Sequence, residues 1–124
     1  MVVLLITLLL LLLQLQGHGA AVELPREWPV GDGEGWSMGV MGWPNFKPFK
    51  AGDVLLFKYK AGQHNVMAVR DPVAYSLCQF PPNATTYSSG DDRVTLAAGM
   101  TFFLCGVADH CTNGMKIWPS QLPN

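Results

Sequence analysis

The chain has 124 residues, 49% of them hydrophobic, and eight Lys and Arg stand against nine Asp and Glu for a formal net charge of −1. That is enough for one domain around a single core, and basic residues so scattered exclude a nucleic-acid-binding surface. Three cysteines are an odd count: in an oxidising compartment two pair, and the third thiol needs another purpose.

From Val2 to Leu15 the sequence is almost entirely aliphatic, and the small residues of GHGAA follow. This is the apolar core and cleavage zone of a secretory signal peptide. The run falls short of the roughly 20 residues a spanning helix needs. The expectation is therefore a leader over residues 1–21, cut at about 19–21, and a secreted, extracellular domain over residues 22–124 with no stable membrane anchor. A lipid anchor at the C-terminus is likewise not expected, since IWPSQLPN is no apolar tail.

Glu23 to Pro29 enters the fold as a first strand, but Pro25 and Pro29 each remove a ladder donor, which makes it an edge. GDGEGW is a tight turn that drops Trp36 into the core, and the other tryptophans are read as core filler as well. The run VLLFKYK, from Val54, is a strand with one buried face, and HNVMAV starts a second at His64. Asp71-Pro72 breaks that strand, and Ala74 to Gln79 reads as a short strand or turn carrying Cys78. Pro81 to Gly90 is polar and turn-rich, and its Asn83-Ala84-Thr85 is an acceptor triplet for N-linked sugar. Strands follow over Asp91 to Leu96 and Thr101 to Cys105, and a last one opens at Met115. Several short strands at regular spacing, with no helical repeat, predict an all-β two-sheet sandwich or small barrel.

The chemistry concentrates in FFLCGVADHCTNGMKI, residues Phe102 to Ile117. Cys105, His110 and Met115 recur at five-residue steps, and Asn113-Gly114 bends the loop back before the methionine. Each alone has an ordinary reading: an inert buried thiol, a surface histidine, a core methionine. Together with His64, the other histidine outside the leader, they match a trigonal site of two histidines and one cysteine with a weak axial methionine, the blue-copper arrangement. If Cys105 is a ligand, the disulfide is Cys78 with Cys111, which adjoins His110 and would pin the ligand loop. A structural zinc site closes with four strong ligands, and methionine is a poor substitute. A thiol enzyme needs an exposed, activated cysteine rather than one ending an apolar strand.

The motifs VGDGEGW, WPNFKPFKAGDVLLF, HNVMAV, YSSGDDRVTL and FFLCGVADHCTNGMKI cover Val30 to Ile117. In them the chain resembles the phytocyanins, the plant cupredoxins, nearest their plantacyanin or basic-blue group. The resemblance implies a Greek-key β-sandwich of the cupredoxin type. It implies one type 1 copper on His64, Cys105, His110 and Met115, a Cys78–Cys111 disulfide, and no enzyme activity. Methionine at Met115 points to the plantacyanin or uclacyanin type, because stellacyanins carry glutamine there. The proline-broken segment before Gly31, the IWPSQLPN end and the slightly acidic charge depart from the basic blue pattern. The function expected is single-electron transfer by a secreted monomer to a small redox partner or redox protein. The rival is an extracellular cell-wall or reproductive signalling or binding module in which copper is secondary.

Overall fold

A computed structural model describes residues 1–8 and 24–123. The expected cleavage zone at residues 19–21 lies outside the described residues. Residues 2–8 are helical, and no helix among the described residues is long and apolar enough to cross a membrane.

Among the described residues seven short strands form two sheets, as the spacing of apolar runs and turns predicts. The first sheet holds β1 (Glu27–Pro29), β2 (Val54–Lys58) and β5 (Asp91–Thr95), in the order β1-β2-β5. The second holds β3 (Val66–Val69), β4 (Thr85–Tyr87), β6 (Phe102–Leu104) and β7 (Lys116–Ile117), in the order β4-β3-β6-β7. β1 starts only at Glu27, after Pro25, and lies at an edge, parallel to β2 with Glu27 opposite Val54, where Pro29 costs no interior ladder bond. β2 and β5 run antiparallel, with Leu55 opposite Val94. β7 ends at Ile117, two residues before Pro119.

The core between the sheets contains Trp28, Trp36, Leu55, Phe57, Val66, Phe103 and Ile117. Trp36 meets Phe57 edge-on at 5.1 Å between ring centroids, and Phe57 meets Phe103 at the same separation. The expectation that all tryptophans fill the core fails at Trp118, which is 44% exposed and meets the Phe102 ring at 5.5 Å between centroids. One carboxylate is built into this apolar frame. Asp53, 3% exposed, accepts bonds from the Trp28 indole (2.9 Å) and the backbone N–H groups of Arg26 and Lys50, tying β1 to the turn before β2.

One local expectation is corrected. Ala74 to Gln79 is not a strand or turn: α1 (Pro72–Leu77) is a helix that ends at Cys78. The Asp-Pro pair that stops β3 also starts α1, since the Asp71 carboxylate accepts the Val73 N–H (2.9 Å) and Pro72 fits the first helical turn. A six-residue helix is too short to show an apolar period. Pro81 to Gly90 is turn-rich as expected, and β4 forms at its centre against β3. The helix covers the outer face of the second sheet, where Ala74 and Cys111 pack on Phe102 and Leu104. β6 is therefore buried on both faces: Phe103 faces the inter-sheet core, and Phe102 and Leu104 face the helix side. That is why FFLC reads as a continuous apolar run instead of an alternation.

Candidate metal centre

Cys105 follows the end of β6 and is fully buried, and among the described residues it is the free cysteine. Its backbone N–H bonds to the Met115 carbonyl (3.0 Å), and the Met115 N–H bonds to the His110 carbonyl (2.9 Å). The chain between them therefore folds back on itself, with Gly114 at φ 100°, a conformation that asks for glycine. The Asn113-Gly114 turn does what the sequence predicts. It brings Cys105, His110 and the fully buried Met115 to one end of the sandwich.

The fourth residue arrives from the loop between β2 and β3. His64 bridges Ala61 just before β3 begins. Its neighbour Asn65 fastens that loop to the late one: Asn65 Oδ1 accepts the Gly106 N–H (2.6 Å), and the Asn65 carbonyl accepts the buried Trp36 indole N–H (2.9 Å). Gly106 is closely packed: an added Cβ would lie 2.3 Å from Met67 Sδ and 3.3 Å from Asn65 Oδ1, so a larger residue would push the Met67 side chain aside. Tyr59 sets the other side of His64, with ring centroids 6.4 Å apart. Its hydroxyl donates to Asp92, a buried carboxylate that also accepts from Ser89 Oγ (2.6 Å). Burial first, and then the Asp92 carboxylate, push the Tyr59 hydroxyl up to about 12. Asn65 and Tyr59 escaped the reading of the sequence, because neither stands in the donor pattern; adjacency to His64 was the only mark of Asn65, and Tyr59, five residues earlier, carried none.

Nδ1 of both rings faces the sulfur. Cys105 Sγ lies 3.5 Å from His110 Nδ1 and 4.0 Å from His64 Nδ1, and the two nitrogens are 3.1 Å apart. A circle through these three atoms has a radius of about 2.1 Å, comparable with the bonds of about 2.0–2.3 Å that a first-row ion such as zinc makes to imidazole nitrogen and thiolate sulfur. The donors thus already stand where one ion would touch all three. Both imidazoles are half-buried and Cys105 is fully so. Burial, and then the nearby His110, lower the pKa of His64, which favours the neutral ring a metal requires. No carboxylate joins the group, and a soft thiolate with two imidazoles selects copper over magnesium or calcium.

Cys78 and Cys111 form the expected disulfide, spanning 33 residues. It joins the end of α1 to the residue after His110. Lys116 Nζ adds a second tie by donating to the Tyr75 carbonyl near the end of the helix (3.1 Å). The His64, Cys105 and His110 donors are thus gathered in one group, Met115 is tied to Cys105 and His110 through its backbone, and Asn83 stands on an exposed turn and takes no part.

A family profile described as a plastocyanin-like domain matches residues 36–115. Chemocyanin from Lilium longiflorum is 48% identical over 90 residues, covering 73% of this chain and 71% of that protein. Among solved structures, the cucumber basic protein, a blue copper protein, superimposes with a TM-score of 0.74 at 40% identity, over 77% of this chain and 99% of that one. Spinach plantacyanin does so with a TM-score of 0.65 at 49% identity, over 71% and 94%.

Proposed function

This chain belongs to the plastocyanin-like family, among the phytocyanins, and from that premise we propose that it is a secreted carrier of single electrons. Its cofactor is one type 1 copper, and its family is one of copper proteins rather than enzymes. In this reading His64 and His110 would hold the ion through Nδ1 and Cys105 through Sγ, with the Met115 thioether as a weaker fourth donor. The observation that carries it is the triangle of His64, Cys105 and His110 donors, already at bonding separation about a common centre.

A type 1 copper supplies a one-electron couple between Cu(II) and Cu(I), two states with different preferred geometries. The chain's contribution is to keep its donors from following that preference. Asn65 locks the His64 loop to Gly106, and the Cys78–Cys111 bond locks the residue beside His110 to α1. A frame tied at both sides reorganises little, which is what fast transfer needs. Burial excludes water from the Cys105 sulfur, while the half-buried imidazoles reach towards solvent and give electrons their shortest way out.

Secretion is supported by the aliphatic run from Val2 followed by small residues, and by a disulfide of the kind that persists in oxidising compartments. The leader is residues 1–21 and the working domain starts at residue 22. The partner is a small redox molecule or redox protein met outside the cell, in the apoplast, by a monomer, and Asn83 carries N-linked sugar. Purified protein loaded with Cu(II) should show intense blue absorption and the narrow copper splitting of a thiolate-bound site in paramagnetic resonance. A colourless product would refute the proposal.

A further inference from the structure

Asn83 occupies the third position of a turn closed by the Ala84 N–H on the Pro81 carbonyl (3.0 Å), immediately before β4. β4 is an outer strand of the four-stranded sheet and β5 an outer strand of the three-stranded one. A groove of about 280 Å³ opens where they meet, and Asn83 itself lines it, with Arg70, Thr85, Tyr87, Thr95 and Thr101. The Arg70 guanidinium donates to the Thr101 hydroxyl, so this cation is held within the groove. Threonine hydroxyls and a guanidinium pair with sugar hydroxyl and acetamido groups, and a tyrosine ring offers a face to the apolar side of a pyranose.

We propose that the glycan on Asn83 does not project into solvent but lays its first N-acetylglucosamine residues into this groove, covering the open edges of both sheets. The proposal rests on the secretory reading above. In the transfer, Asn83 Nδ2 forms a bond to C1 of the first sugar and loses one proton, while a lipid pyrophosphate leaves C1 of a lipid-linked oligosaccharide. Exposed sheet edges are templates for unwanted strand pairing, and native proteins cover them. Here the cover is supplied by an acceptor that is part of the groove wall.

The test is secretion of the full chain under its own leader from a eukaryotic host, followed by cleavage of the folded product with peptide N-glycosidase in heavy-oxygen water. The expected result is isotopically marked Asp at position 83. Release from wild type should be roughly tenfold slower than from Thr95→Tyr, whose ring fills the groove, a ratio that one or two net hydrogen bonds to the sugar would produce. Ala97→Tyr, at the same groove, serves if Thr95→Tyr does not fold. In wild type alone, removing the sugar should speed amide exchange in β4 and β5. A chain retained unglycosylated inside the cell would refute secretion and this proposal with it. A secreted chain with bare Asn83 would refute this proposal alone, as would release at equal rates from wild type and both variants.

Discussion

Replacing both Cys78 and Cys111 with alanine tests whether the crosslink serves the metal centre or only the fold. The bond closes a 33-residue interval, for which loop-closure entropy gives roughly 3–4 kcal/mol of stabilisation. In a domain of this size that corresponds to a fall of roughly 15–20 °C in Tm. Cys111 is 2% exposed between α1 and β6, so its truncation adds a small packing loss. Urea unfolding of the copper-free proteins measures the first effect as a lower midpoint at nearly constant slope. The second effect is read by Cu(II) titration of the blue band. His110 keeps its N–H bond to the Val107 carbonyl (3.1 Å) and its carbonyl bond from Met115, but loses the anchor one residue away. Loss of a support of this kind lowers metal affinity by roughly 10-fold to 100-fold. If stability falls as calculated while copper affinity and spectrum stay unchanged, the crosslink is a staple, and the rigidity argument for the ligand loop is refuted.

Met115→Gln should keep the blue colour and lower the reduction potential, because an amide oxygen favours Cu(II) more than a thioether does; an unmoved potential in voltammetry would remove Met115 from the axial position. Cys105→Ser should abolish the blue band and electron transfer to any acceptor, whereas a module acting through its surface would keep its biological activity. Burial alone would raise the Asp53 carboxyl, but bonds from Trp28, Arg26 and Lys50 outweigh it and hold it below its ordinary value of 3.8. A group depressed on folding stabilises the fold fully above its unfolded value and loses that contribution as pH falls through the folded one, so wild type should weaken below about pH 3.8. Asp53→Ala, which strands three donors, should cost about 3–5 kcal/mol in urea unfolding at pH 7 and flatten that acid dependence; an unchanged acid limb would show that Asp53 is not responsible.

The candidate metal donors were legible in the chain because copper chemistry is written in residue type. A spare cysteine, a histidine and a methionine on one loop leave few other sites to build, and His64 was identifiable because a second imidazole was needed and only one remained outside the leader. The strands were legible where one face is buried, as in β2 and β5, whose alternation follows the pleat. The short elements were not. α1 has under two turns and shows no period, and the three residues of β4 sit among turn-formers and become a strand only by pairing with β3.

By itself the sequence picked out His64, Cys105, His110 and Met115 as candidate donors and, with Cys105 taken as a ligand, left Cys78 and Cys111 to pair, since donor softness and cysteine parity are properties of composition and order. Only the tertiary structure decided that Nδ1 of both histidines faces the Cys105 sulfur, that Asn65 ties the two ligand loops together, and that Asn83 borders a groove between the sheets. Each of those joins residues distant in the chain, such as Asn65 and Gly106. Their separation in space is set by how two sheets close over a common core, and no local pattern carries that information.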